Sequence, residues 1–346
     1  MKKILFICGS LNQTIMMHKI SQHLEKEYEC YFSQFYTDGF LELLRKAGFL
    51  NFSILGGEFF RQTTDYLVKN YLLIDYQGKY NDYDLIYTCS DLIVPKNIQN
   101  KPVILVQEGM TDPENFMYYF VRILGLPRFF ASTSTNGLSD MYNRFCVASE
   151  GYENFFVSKG VKREKIAVTG IPNFDDAEKY LQNNFPYKDY VLVATSDSRE
   201  TFKYENRKKF IRKALKIADG KQIIFKLHPN ENVTRAKAEI NKYAPGSLIY
   251  FNCDINPMIA NCSILFTRFS SVVYIGMALG KKIYSDFDTN KLMQLLPIQN
   301  GGISSKKIAE EGKQLLENCE IVKLRKTESF PNSKSYSKPI FIKGII

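Results

Sequence analysis

Lys226 and His228 stand two residues apart at the end of the apolar run Gln222–Leu227, and Pro229 follows at once. Alternation along a strand puts both side chains on one face, and the proline stops the strand there. Glu231 falls in the first turn of the helix expected next. A lysine or histidine beside free backbone N–H groups suits a phosphate. The alternative is a solvent-facing lysine and a capped histidine. The chain has only three histidines, and His228 sits where an open parallel sheet binds ligands, so the phosphate reading is preferred. Further along, Thr267-Arg268-Phe269-Ser270-Ser271 leads into a helical stretch, Ser271–Leu279. Adjacent serines at a helix start offer hydroxyls, backbone donors and the positive end of the helix dipole, again a setting for a phosphate or diphosphate. Plain N-capping would need only one of them.

Three more strand ends carry polar residues. Glu108-Gly109 follows the strand Val103–Val106; a carboxylate there, partly desolvated, would have its pKa raised toward the range of a general base. Its alternative is a surface glutamate at a glycine turn. Gly9-Ser10 follows the first strand, Ile4–Cys8, without a G-x-G-x-x-G fingerprint, and reads first as a strand-to-helix turn. Ser196, in Thr195-Ser196-Asp197-Ser198-Arg199, holds the equivalent place after the strand Tyr190–Ala194. His18 and His23, five apart, do not share a helix face and read as structural.

The elements that must position these residues alternate as short β-rich runs and helix-length segments, the pattern of a parallel α/β sheet. In the first half the strands are Ile4–Cys8, Tyr28–Phe35, Asp84–Cys89, Val103–Val106, Arg144–Ala148 and Ile166–Thr169, with helices such as Thr14–Lys26, Phe116–Leu124 and Ser149–Lys159. The polar stretch 175–188, ending near Pro186, reads as a linker in which Asp175-Asp176 can cap a helix. The pattern then restarts from Tyr190 to Ser285. The fold expected is α/β, two Rossmann-like domains facing each other across a cleft. Residues 1–174 form the first, 175–188 the linker, 189–318 the second and 319–346 an irregular tail.

Composition narrows the function classes. No apolar run approaches the ~20 residues of a membrane-spanning helix, and the run Ile4–Cys8 is too short for a signal-peptide core. A cytoplasmic protein is expected. Seven scattered cysteines without a C-x-x-C fit free thiols, and with so few histidines neither a disulfide framework nor a zinc site is expected. The net charge of +10 favours anionic partners, yet no nucleic-acid-binding signature accompanies it.

The K-x-H-P stretch Lys226–Pro229, the double serine Ser270-Ser271 and the Ala278-Leu279-Gly280-Lys281 that follows resemble the donor half of bacterial GT-B enzymes. They are similar to surface-polysaccharide glycosyltransferases, sialyl- and Kdo-transferases and CDP-glycerol glycerophosphotransferases. The segment Gly160-Val161-Lys162 through Gly170-Ile171-Pro172-Asn173-Phe174-Asp175 resembles their domain junction, and UDP-N-acetylglucosamine 2-epimerase has related segments. The resemblance spans roughly residues 100–285. It implies a metal-independent glycosyltransferase of capsule or lipopolysaccharide synthesis, with no cofactor beyond its nucleotide-sugar donor. Ser196, Lys226, His228, Pro229, Ser270 and Ser271 would then lie on the donor side, with Gly9 and Ser10 facing the acceptor. Several relatives carry His-Gly where this chain has Glu108-Gly109, so Glu108 becomes the candidate catalytic base, as inverting transfer requires. Many relatives also carry an acidic residue for the donor ribose where this chain reads Tyr274-Ile275-Gly276. The implied partners are a nucleotide sugar and a glycan or lipid-linked acceptor, with no nucleic acid; the basic surface would favour peripheral contact with the inner membrane face. Rival readings are a CDP-glycerol-type polyol-phosphate transferase, a 2-epimerase-like isomerase and a non-catalytic nucleotide-sugar-binding protein.

Overall fold

A computed structural model describes residues 1–51, 53–196, 198–200 and 204–328. The first half contains β1 (Lys3–Cys8), α1 (Leu11–Ser21), β2 (Glu29–Gln34), α2 (Gly39–Lys46), α3 (Gly57–Lys69) and β3 (Leu73–Ile74). There follow β4 (Leu85–Thr88), β5 (Val103–Val106), α4 (Phe116–Leu124), β6 (Arg144–Val147), α5 (Glu150–Ser158) and β7 (Ile166–Val168). These strands form one parallel sheet in the order β3-β2-β1-β4-β5-β6-β7. Strands covered on both faces read as unbroken apolar runs, which is why Ile4–Cys8 and Val103–Val106 are legible without alternation.

The second half contains β8 (Val191–Ala194), α6 (Arg207–Ala218), β9 (Ile223–Lys226), α7 (Val233–Tyr243), β10 (Leu248–Tyr250) and α8 (Asn256–Asn261). Then come β11 (Ile264–Phe266), α9 (Val273–Ala278), β12 (Lys282–Tyr284), α10 (Thr289–Gln294) and α11 (Ser304–Glu328). Its sheet is also parallel, in the order β10-β9-β8-β11-β12. In each sheet the strand order reverses beside the first strand, at β1/β4 and at β8/β11. Helices leave to opposite faces at such a point and open a crevice beyond the strand ends. Gly9-Ser10 lies at the first crevice, and Thr195-Ser196 with Thr267–Ser271 lies at the second.

The C-terminal segment departs from the expected layout. Where the sequence pattern led to an irregular tail from residue 319, a helix runs from Ser304 to Glu328; residues 329–346 of that tail lie outside the described residues. The helix returns to the first sheet. Ile308, Ala309 and Leu316 are buried with Ile4, Phe6 and Tyr87. Gly312 allows this approach, since a Cβ there would stand 1.8 Å from the Tyr87 hydroxyl. Residues 304–318, expected in the second domain, therefore pack on the first. The apolar spacing Ile308, Leu315 and Leu316 is helical, but nothing local says which sheet it covers.

The stretch expected as a linker is tied down. Asp175 is buried, and its carboxylate accepts from the Ser304 N–H at 3.0 Å, so it caps α11. Gln299 accepts from the Ala177 N–H at 2.9 Å. His18 on α1 and His23 just after it have structural partners, His18 bonding Tyr66 at 3.0 Å and His23 bonding Ser305 at 3.1 Å.

Candidate functional site

On the first sheet, Ser10 is the N-cap of α1, its hydroxyl accepting from the Gln13 N–H at 3.3 Å. The same hydroxyl donates to Glu108 Oε1 at 3.0 Å, and Gln13 Nε2 donates to Glu108 Oε2 at 2.5 Å. Gln13 folds over Gly9: a Cβ at position 9 would stand 2.1 Å from its Oε1. Gly9 therefore serves by leaving room for the glutamine that holds Glu108. Glu108 is half-buried, and burial pushes its carboxyl above the usual range while the bonds from Gln13 and Ser10 pull it back in part. With one donor on each oxygen, both oxygens keep capacity to accept from a third group. Gln13 was not among the sequence candidates. Its signal was present, since Ser10-x-x-Gln13 has the spacing of a capping box, but the amide reaches a neighbouring strand end instead of the cap.

On the second sheet the hub is Thr195. Its hydroxyl donates to Glu231 Oε2 at 2.5 Å and accepts from the His228 N–H at 3.0 Å. Glu231 precedes α7, whose N-cap is Asn232, rather than lying in its first turn. It is buried against Arg207, whose Nε also meets Glu205 Oε1 at 2.7 Å, and Arg199 lies 3.6 Å away. Ser196 donates to Glu205 Oε2 at 2.9 Å. This buried charge network, which sequence reasoning missed, fixes the two strand-end loops to each other. A lone Glu or Arg in a basic helix carries no local sign of burial; only the adjacency of β8 and β9 creates the cluster.

His228 Nδ1 accepts from the Asn230 N–H at 3.2 Å, which leaves Nε2 carrying the proton as a donor. Lys226 is buried, its ammonium donating to the Leu227 carbonyl at 2.8 Å, and burial lowers its pKa. Its charge sits behind the strand end, without a contact to either serine. Pro229 is exposed beyond the strand. Ser270 and Ser271 precede α9, whose N-cap is Val272 with no side-chain cap, so neither hydroxyl is taken up by capping.

The two halves meet at this point. A Cβ on Gly109 would lie 3.4 Å from Phe174 and 4.0 Å from the Ser271 Cβ, so the Glu108-Gly109 loop approaches Ser271. Nearby, the hydroxyls of Tyr152 on α5 and Tyr274 on α9 are 2.7 Å apart and buried. Tyr274 thus occupies, as a bridge between the sheets, the region where the resemblance led us to look for a carboxylate. Among the described residues no group of three or more His, Cys, Asp or Glu side chains could hold a metal ion, and no helix is long and apolar enough to cross a membrane. All seven cysteines are free.

Solved structures share this architecture. UDP-GlcNAc 2-epimerase from Neisseria meningitidis bound to UDP-GlcNAc superposes with a TM-score of 0.54 at 13% identity, covering 89% of this chain and 99% of that one. The S. aureus MnaA–UDP structure gives 0.52 at 12% identity, covering 89% and 95%. At such identity the likeness establishes the fold, two mostly parallel α/β sheets in the GT-B arrangement. No protein-family model and no curated protein matches the sequence.

Proposed function

We propose that this chain is a metal-independent glycosyltransferase that moves a sugar from a nucleotide-sugar donor to a surface-glycan or lipid-linked acceptor, in capsule or lipopolysaccharide synthesis at the cytoplasmic face of the inner membrane. The observation that carries the reading is the approach of the Glu108-Gly109 loop to Ser271, which brings the loop bearing a hydrogen-bonded, half-buried carboxylate to the segment that precedes α9. Glu108 takes the proton of the acceptor hydroxyl, whose oxygen attacks the anomeric carbon from the face opposite the diphosphate. The bond from that carbon to the diphosphate oxygen breaks, with inversion. His228 Nε2–H and the Ser270 and Ser271 hydroxyls donate to the charge that gathers on the leaving diphosphate. Lys226, held behind the strand end, adds positive potential without a direct bond. Ser196 orders its loop through Glu205, while Gly9 and Ser10 shape the acceptor side. The N. meningitidis relative holds UDP-GlcNAc, which supports a uridine diphosphate sugar as the first donor to test.

A second reading, a 2-epimerase-like isomerase, is favoured by the same likeness. Incubating the full chain with a panel of nucleotide sugars and following both free nucleotide and sugar configuration separates the two. Nucleotide release that depends on an added acceptor supports transfer; an inverted C2 centre in an intact nucleotide sugar overturns it. Turnover is expected to survive exhaustive EDTA treatment, since no metal cluster is available among the described residues; loss restored by magnesium or manganese would contradict this.

Donor binding gives a separate check. The His228→Ala variant and the Ser270→Ala/Ser271→Ala double variant should each weaken binding of uridine diphosphate by roughly 1.5–3 kcal/mol, about one to two decades in Kd, through loss of a charge-assisted bond. These side chains are half-buried or exposed, so melting temperatures should hold. Unchanged calorimetric affinity in both variants would remove them from the donor site.

A further inference from the structure

We infer that the acceptor carries a hydrocarbon chain, and that the chain lies in a cavity beside Glu108. The inference rests on the transferase reading and names the chemistry of its acceptor. A cavity of about 950 Å³ opens at the ends of β1, β4 and β5, and the hydrogen-bonded group Ser10, Gln13 and Glu108 is part of its lining. Most of its lining surface is apolar, with Phe40, Leu44, Ile54, Met110, Phe129 and Phe130 among the residues, and polar side chains such as Ser53, Thr111 and Ser132 interrupt it. A glycan filling this space would set many of its hydroxyls against apolar surface, which is costly. An amphiphile fits both parts, its hydroxyl or phosphate head at the carboxylate and its chain between the walls.

The state of α2 supports this. Of its eight residues, Phe40, Leu41, Leu43 and Leu44 are apolar, yet none is buried. Phe40 is 71% exposed and Phe130, which lines the same cavity, 54%. A helix whose apolar side lines a cavity instead of a core gains its burial when a ligand arrives. Scattered surface leucines need no such account, but Phe40, Leu41 and Leu44 line one space that Glu108 also lines. The net charge of +10 suits an anionic head group.

Alkyl glucosides test this with the full chain, kept below their critical micelle concentrations. Affinity by calorimetry should rise from methyl through hexyl and octyl to decyl glucoside, by up to about fourfold per methylene, and by at least tenfold between hexyl and decyl. Leu44→Asp should abolish the chain-length dependence. Leu43→Asp, on the same helix but outside the cavity, should keep it. Neither should alter the melting temperature or the affinity for uridine diphosphate, because α2 has no buried residue and stands apart from the donor loops. Affinity that ignores chain length, or equal losses in the two variants, overturns the hydrocarbon site. If nucleotide release with short acceptors persists in that case, the transferase reading stands without it. If decyl glucoside binds through Leu44 but no nucleotide sugar is ever consumed, the site stands and the transferase reading falls.

Discussion

Glu108→Gln is expected to lower turnover by about 10²–10⁴-fold while leaving the affinity for uridine diphosphate unchanged, the loss typical of a positioned general base. The variant keeps the shape of the side chain; its amide oxygen can accept from Gln13 Nε2 while its NH2 donates to the Ser10 hydroxyl. The pH dependence gives a second signature. Burial raises the Glu108 pKa, so the acid limb of kcat/KM should lie above the ordinary glutamate range and vanish in the variant's residual rate. The sign for stability follows from the same shift. A carboxyl with a folded pKa above its unfolded one stabilises the fold below the unfolded pKa and loses that contribution as pH rises through the folded value. Glutamine has no charge to lose, so the variant should gain in melting temperature relative to wild type between pH 4 and pH 8. A variant that melts as expected yet turns over within a few-fold of wild type would acquit Glu108. Asp112, tied to Thr133 at 2.9 Å, and Glu114, 3.6 Å from Lys159, would then be the carboxylates to examine.

Glu231→Ala should destabilise the protein by about 3–5 kcal/mol, because it leaves buried Arg207 without its closest carboxylate. Retained pairing to Glu205 argues for the lower end of that range. The same change frees Thr195, which holds the His228 backbone, so affinity for uridine diphosphate should fall as well. Replacing the whole buried trio by apolar residues, Glu231→Leu with Arg207→Met and Glu205→Leu, should recover much of the stability but not the affinity, since none of the three charges is then left unpaired while Thr195 still lacks its acceptor. Urea unfolding followed by circular dichroism reads the first quantity and calorimetry the second. A single variant within 1 kcal/mol of wild type would show that the network is not the support of the donor loops.

The parallel α/β architecture was legible in the sequence because strands covered on both faces are continuous apolar runs, such as Ile4–Cys8 and Val191–Ala194, whatever packs on them. The helix Glu150–Ser158 was legible through its Ser149 cap, a local bond that needs no distant partner. The placing of polar residues such as Ser10, Glu108 and Ser196 just after strands was legible too, since each follows an apolar run directly. What the sequence did not contain was adjacency. Gln13 meets Glu108 only because β1 and β5 flank β4, bringing residues ninety-five apart into contact. Glu231 meets Arg207 only because β8 and β9 pair. Nor does helical periodicity say which sheet a helix covers: α11 carries an apolar stripe that either sheet could accept, and the fit of Gly312 against Tyr87 assigns it to the first. Local preference and burial pattern are properties of a segment, whereas the partner of a charge and the target of an apolar face depend on which distant segment arrives there. Tertiary structure alone decided those.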